Sequence, residues 1–267
     1  MQTQSPLILA AETSGRLGSV ALADGEKLLA ETTFTGPMRH SAEIFPAISD
    51  LLKRFSKKPK QIEHIYISIG PGSFTGLRIA ATIAKIMHLA NDAKIVTVDT
   101  LDVIAANVIT THHLTNHEPR ATACPELVEG SIETIAAILD AKRDQFFIAL
   151  YQRNTSDEQL RRTPYGGATS NGIWQKFLPD SLMTAEQFLE NFAAKDKPIW
   201  LLGEGLVYYK DKFKTDGIQF LDEKYWRPRA EKVHLLGLEK AQAGRFANPL
   251  TLQPLYLRKP DAKIKKS

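Results

Sequence analysis

The 267-residue sequence has one cysteine, no long apolar run and no strong excess of charge of one sign, and each scarcity bears on the class of protein it can be. A single cysteine, Cys124, cannot form an intrachain disulfide, which suits the cytoplasm and leaves a packed core as the means of holding the chain. The longest uncharged apolar stretches, such as residues 7–11, fall far short of the ~18 residues that a membrane span needs, so a helical membrane protein is excluded. Residues 1–6 are short, polar and run straight into a strand-like segment, so no secretory leader is expected. The 34 basic and 30 acidic residues leave a net charge of +4, a mild bias that permits contact with RNA without requiring it. What is present, 43% hydrophobic and 24% charged residues, is ordinary for a globular protein, and the length corresponds to roughly two domains of ~150 residues.

Three short β-like runs open the chain, over 7–11, 19–23 and 27–33, separated by Gly15, Gly18 and Asp24-Gly25. Residues 41–55 place Ile44, Phe45, Ile48, Leu51, Leu52 and Phe55 at helical spacing, with Ser41 as the expected N-cap and a basic stretch containing Pro59 beyond the end. Ile65, Ile67 and Ile69 alternate as a strand over 64–69. A glycine-rich turn then leads into a helix over 75–90, a strand over 94–98 and a helix over 101–109. This is an α/β order. Periodicity collapses after Thr110, so a first domain is expected over 1–110 and a second over 111–267, with an inserted loop near 112–133. The second region reads as strands over 134–139 and 145–151, a polar stretch, a helix over 181–192, a strand over 198–202, a helix over 230–243 and an extended segment over 251–258. The last helix or strand is a candidate to return to the first lobe.

An internal echo has architectural meaning. Glu12 ends a strand and precedes Val20-Ala21-Leu22 by eight residues, and Asp140 precedes Ile148-Ala149-Leu150 by the same count. Either alternating strands recruit similar residues, or each half opens on a hairpin whose turn follows an acidic residue. The second option is the plan of two-lobed nucleotide-binding folds.

The most specific string is Gly70-Pro71-Gly72-Ser73-Phe74-Thr75-Gly76-Leu77-Arg78, placed between a strand and a helix. Glycines let backbone approach a ligand or another chain closely, and free N–H groups at a helix start favour an anion. The spacing fits neither G-x-G-x-x-G nor G-x-x-x-x-G-K-[ST]. The string is thus either an anion-binding turn or a strand-to-helix turn capped by Ser73 or Thr75. Glu12-Thr13-Ser14-Gly15 could hold a phosphate or a metal-bound water, or be a polar hairpin turn. Its counterpart, residues 140–144, has no glycine, so amides there do not easily converge on a second phosphate. His113 and His117 have H-x-x-x-H spacing but sit in a segment without apolar periodicity, which reads as a solvated loop rather than a metal site. The tail sets Arg258, Lys259, Lys263, Lys265 and Lys266 against Asp261 alone, a solvated end that can add phosphate contacts to an RNA-bound complex.

Taken together, residues 7–14, Arg39-His40-Ser41 with Ile44-Phe45-Pro46, and the glycine string closely resemble the TsaB (YeaZ) family of tRNA threonylcarbamoyladenosine synthesis. Weaker matches at 98–101, 139–143, 202–205, 228–230 and 254–258 extend the resemblance along nearly the whole chain. It implies an α/β, two-lobed actin-like (ASKHA, ribonuclease H-like) fold, each lobe a mixed sheet with helices. It also implies a non-catalytic, cytoplasmic subunit that pairs with a TsaD homologue, works with the TsaE ATPase and meets tRNA through the complex, with a homodimer possible when alone. In the catalytic relative, an H-x-x-x-H metal motif follows a strand ending in a Gly-Val-like pair. By the Val98 register those positions are Thr100 and Ile104 here, neither able to replace an imidazole. Glu12 departs from the Asp common among relatives.

The site residues expected on this reading fall in two groups. Ile44, Ile48, Leu77, Ala80, Ala81, Ala84 and Met87 form a candidate partner face on the first-lobe helices, where small side chains permit close helix approach, unless these faces merely cover their own sheet. Glu12, Thr13, Ser14, Gly72, Ser73, Thr75, Gly76 and Arg78 form a candidate vestigial nucleotide or anion site. No catalytic residue, metal or resident cofactor is expected, ATP or ADP at the partner interface being the one nucleotide left open. The competing reading is an autonomous actin-like ATPase or kinase, or a glycoprotease-type peptidase.

Overall fold

A computed structural model describes residues 5–37, 39–109, 132–153 and 174–257. His113, His117, Cys124, most of the expected inserted loop and the basic tail lie outside the described residues. The chain builds two five-stranded sheets with one topology written twice. In the first, β1 (Leu7–Glu12), β2 (Ser19–Asp24), β3 (Lys27–Thr33), β4 (Ile62–Gly70) and β5 (Lys94–Asp99) lie in the order β3-β2-β1-β4-β5. In the second, β6 (Thr134–Asp140), β7 (Phe146–Arg153), β8 (Trp174–Met183), β9 (Ile199–Leu202) and β10 (Ile218–Phe220) lie in the order β8-β7-β6-β9-β10. Each sheet begins with an antiparallel meander and continues with two parallel strands.

The middle stretches of the central strands are mostly apolar because both faces are covered. Leu7, Leu9 and Ala11 of β1, with Ile65 and Ile67 of β4, pack beneath α1 (His40–Arg54) and α2 (Phe74–Asn91). Their alternates Ile8, Ala10 and Tyr66 face the other way, against Val103 and Ala106 of α3 (Thr100–Ile109) and Ala230, Val233 and Leu236 of α6 (Ala230–Gln242). The remaining faces of α3, Leu101, Ile104, Ala105 and Val108, join the core of the second sheet. One helix therefore serves both cores. The second sheet is completed by α4 (Ala185–Phe192) and α5 (Leu206–Tyr209).

Two sequence expectations change in the structure. Residues 181–183 end strand β8 instead of opening a helix. They pair with Phe146–Ile148, and α4 starts only after Thr184, whose hydroxyl accepts from Gln187 N while Gln187 reciprocates as a capping box. Ser41 is not the N-cap of α1: the helix opens at His40 without a side-chain cap, and Glu43 is spent instead on Thr35, accepting from its N at 2.6 Å. Residues 251–257, read as extended, are assigned to no strand, and Leu255 N donates to Ile69 O at 2.8 Å, which ties the segment to β4.

Polar groups also pin α3 to the second sheet. A buried network sets Lys176 Nζ 2.8 Å from Asp102 Oδ1 and against Asp180, while Tyr151 OH donates to Asp102 at 2.7 Å. Burial pushes the Asp180 carboxyl up to about 6, against the pull of Lys176.

Candidate functional site

Each of the two acidic strand ends noticed in the sequence closes its own hairpin turn; Asp140 lines a cleft between the turns, and Glu12 lies buried behind Ser14 and Gly15, which line it. Glu12 is fully buried. Its Oε1 accepts from Ser14 N at 2.6 Å and from Ser14 Oγ, and its Oε2 accepts from Ser68 Oγ on the neighbouring strand β4. Burial raises the affinity of this carboxyl for its proton, and the serine bonds oppose that. Asp140 repeats the pattern, its Oδ1 accepting from Lys142 N at 2.7 Å. In both turns the amide two residues after the acid is committed to the acid itself.

The glycine string packs on the first of these turns. Ser73 N donates to Ser14 O at 2.8 Å, and Thr13 Oγ1 donates to Gly76 O at 2.7 Å. A Cβ at Gly72 would lie 2.6 Å from Ser14 O, and one at Gly76 would overlap the Thr13 carbonyl. These glycines are therefore required by the close passage of backbone over backbone. Ser73 caps α2, its Oγ accepting from Gly76 N at 3.3 Å, whereas Thr75 is exposed. The peptide between Gly70 and Pro71 is cis. His40 completes the turn from α1, with Nε2 3.0 Å from Gly15 O, and burial keeps its imidazole below the usual histidine range. In the second sheet the same job falls to Gly203-Glu204-Gly205: a Cβ at Gly203 would overlap Ile138 O, to which Gly205 N donates at 3.0 Å. The second hairpin turns without glycine, through Lys142, Arg143 and Asp144 at φ of +64°, +54° and +62°.

Between the turns lies a cavity of about 730 Å³. Glu204 bridges it, Oε2 accepting from Arg16 N at 2.6 Å. Burial pushes the Glu204 carboxyl up to about 7; the Arg16 N–H lowers it and nearby Glu12 raises it further. Aromatic rings line the mouth. Arg16 lies 4.6 Å over the ring of Tyr208, Phe74 and Tyr256 have centroids 5.0 Å apart, and Arg78 sits 3.7 Å over Phe74 with its Nε donating to Tyr256 OH at 3.2 Å. Among the described residues no group of three or more His, Cys, Asp or Glu side chains is arranged to hold a metal.

The eight residues of the candidate anion site do gather at one end of the first lobe, but their best donors are turned on each other. Ser68, His40, Glu204, Tyr208 and Tyr256 were not singled out as site residues from sequence; His40, Glu204 and Tyr256 lie in the family-resembling stretches at 39–41, 202–205 and 254–258, whereas Ser68 and Tyr208 offered no signal. The candidate partner residues are placed differently from the expectation of an outward face. Ile44, Ile48, Leu77, Ala80, Ala81 and Ala84 are buried against the chain's own sheet, and Met87 is partly buried beside them. The apolar side chains that the same helices leave uncovered are Phe45 on α1 and Ile86 and Leu89 on α2, which are 56%, 49% and 87% exposed.

No helix among the described residues is long and apolar enough to cross a membrane. Residues 35–160 match the family model for TsaD, tRNA N6-adenosine threonylcarbamoyltransferase. The tRNA threonylcarbamoyladenosine biosynthesis protein TsaB of Bacillus subtilis is 29% identical over 262 residues, spanning 97% of this chain and 96% of its own. That of Haemophilus influenzae is 31% identical over 263 residues, spanning 96% and 94%. The solved YeaZ from Pseudomonas aeruginosa, 21% identical, superposes with a TM-score of 0.70 over 94% of this chain and 100% of its own, which identifies the fold as the two-lobed actin-like one. Similarity at this level along almost the full length, on a duplicated sheet with the glycine string seated at the first turn, makes the chain a member of the TsaB family of tRNA threonylcarbamoyladenosine biosynthesis proteins.

Proposed function

We propose that this chain is a cytoplasmic, non-catalytic subunit of threonylcarbamoyladenosine formation on tRNA, docking a TsaD homologue through the outer face of α1 and α2 and acting together with the TsaE ATPase. The observation that carries the reading is that the outer faces of α1 and α2 leave Phe45, Ile86 and Leu89 exposed. Ile86 and Leu89 are one helical turn apart, and two adjacent helices resting on one sheet hold all three rigidly, as a helix-to-helix interface requires. The positions that would carry the metal histidines of the catalytic relative support the non-catalytic part: Thr100 and Ile104 are both fully buried, and Ile104 is spent in the core of the second sheet. Residues 1–110 are taken as the partner-binding lobe and 111–267 as the second, with α6 docked back on the first sheet.

Co-purification with a TsaD homologue, followed by reconstitution of tRNA modification with and without this chain, tests the proposal. Ile86→Glu with Leu89→Glu should keep the parent melting temperature and weaken TsaD binding at least a hundredfold, because charges are stranded only on association. Unchanged binding would move the interface elsewhere. Turnover of ATP or peptide by the isolated chain on the order of 1 s⁻¹ would overturn the non-catalytic role.

A further inference from the structure

The first lobe carries a positive edge that docking does not use. Lys53, Arg54, Lys57, Lys58 and Lys60 fall within eight positions that hold no acidic residue, and their five charges exceed the net +4 of the whole chain. All but the partly buried Lys57 are exposed. Lys53 stands 4.0 Å from Asp50, both more than three-quarters in water, which is worth almost nothing. Among the described residues, Arg54, Lys57, Lys58 and Lys60 enter no ion pair. Lys53 and Arg54 sit in the last turn of α1, where cations suit the negative end of the helix, but the other three lysines lie past its end. Nor is this a loose run. Ser56 takes the left-handed conformation at φ of +53°, so that Ser56 N donates to Lys53 O at 3.0 Å and Lys57 N to Leu52 O at 2.8 Å, closing the helix. Lys58 N donates to Gln61 Oε1 at 2.7 Å, Gln61 N returns to Lys58 O at 2.9 Å, and Asn91 at the end of α2 donates to Pro59 O at 2.7 Å. The backbone that presents the charges is thus already fixed, and binding has only side chains left to order. Both helices start at the first hairpin turn, through His40 and Ser73, and both end at this loop. It therefore lies at the far end of the lobe from the cleft, on the rim of the face that carries Phe45, Ile86 and Leu89.

We propose that residues 53–60 are a landing surface for the phosphate backbone of RNA, contacted without regard to base sequence. The inference rests on the reading that the chain serves tRNA modification, and not on the docking face itself. The chemistry favours phosphate over an acidic protein partner. Phe55, the one aromatic residue of the stretch, is half-buried against the first core, and the Arg54 guanidinium lies 5.4 Å over its ring. The loop thus offers no apolar anchor of the kind that holds a protein interface. Cationic side chains spread along an ordered loop meet phosphate oxygens and read nothing of the bases.

Fluorescence anisotropy of the full chain by itself against a labelled tRNA transcript, at salt from about 50 to 200 mM, tests it. The expected result is saturable binding that weakens steeply with salt, each phosphate contact contributing roughly 0.7–0.9 to the slope of log K on log salt. Lys57→Gln, Lys58→Gln and Lys60→Gln made together should weaken binding at least tenfold at about 50 mM salt and make the slope shallower by about 2. The melting temperature and co-purification with a TsaD homologue should stay parental. Arginine at the same three positions keeps the charge and should bind as the parent does. Lys263→Gln, Lys265→Gln and Lys266→Gln in the basic tail should together lose less than the loop variant. No saturable binding by the parent, a parental affinity and slope in the glutamine loop variant, or a larger loss in the tail variant would each overturn the proposal. Loss of TsaD binding with RNA affinity kept would assign the loop to an acidic protein surface and overturn it too. Failure of the parent chain to co-purify with TsaD sinks the docking reading alone, because these titrations need no partner.

Discussion

The two hairpin turns that face the cleft solve one problem with opposite chemistry. The first is rich in glycine, buried, and overlaid by a second glycine-rich loop, so its acid is sealed among hydroxyls. The second has no glycine, lies near the surface, and reverses direction by holding three ordinary residues in the left-handed region. Both commit the same amide to the same kind of acid. A duplicated architecture can thus keep its hydrogen-bond logic while one copy takes its geometry from composition and the other from strain, at roughly 1–2 kcal/mol for each left-handed residue.

The largest effect that would break this comparison is expected at Gly76. Gly76→Val drives a side chain into the Thr13 carbonyl and should cost more than about 4 kcal/mol, read as loss of cooperative unfolding or a steep fall in melting temperature. A near-parental melt would show that the first turn does not need its overlay. Ala84→Arg should cost about 3 kcal/mol or more, because Ala84 is fully buried in the first core, while Leu89→Glu on the same helix should cost almost nothing; denaturant unfolding separates the two.

A smaller effect concerns Glu204, whose folded carboxyl is raised from an ordinary 4.5 to about 7. The folded state then holds its proton more tightly than the unfolded one, so the contribution is fully present below about pH 4.5 and is lost as pH rises through about 7. Allowing for partial access to water, about 2 kcal/mol is involved. Glu204→Gln keeps an acceptor for Arg16 N and should flatten this slope, leaving the variant more stable than the parent at pH 8. A parental slope in the variant would place the titration elsewhere. Smallest of all, Arg143→Gly should stabilise by about 1 kcal/mol by relieving one left-handed residue in the second turn, and the same melting assay reads it.

Much of the fold was legible because the signals were local. The alternation of Ile65, Ile67 and Ile69, the helical spacing of Ile44, Ile48 and Leu51, and the Ser73 cap after a strand all act within a few residues. The eight-residue echo pointed to duplication, and the identical strand orders bear it out. The site was less legible because its partners are far apart in sequence. Ser68 reaches Glu12 across 56 positions and Glu204 reaches Arg16 across 188, and no spacing rule spans such distances. The helices of the first lobe carry the sharper lesson. Periodicity separates an apolar stripe from a polar one but is silent on whether the stripe meets the chain's own sheet, so small Ala80, Ala81 and Ala84 were assigned to a partner although they fit against β4, Phe45 was counted with the apolar face of α1 although it is exposed, and Ile86 and Leu89 went unremarked. Strand β8 was missed altogether: residues 174–180 read as part of a polar stretch, and 181–183 were absorbed into the helix that closely follows them.

The return of α6 to the first sheet has a consequence for how the molecule is made. Ala230, Val233 and Leu236 cover Ile8, Ala10, Ala21 and Val96, and Ala230 N donates to Ser19 Oγ at 2.9 Å across 211 positions of chain. At the roughly 5–20 residues per second of protein synthesis, that face of the first sheet waits about ten to forty seconds on the ribosome for its cover. The usual order of biogenesis, in which the earlier lobe matures while the later one is still being translated, is therefore closed to this chain. The first lobe is started first and finished last, and a nascent chain stalled before residue 230 is a natural client for a holding chaperone.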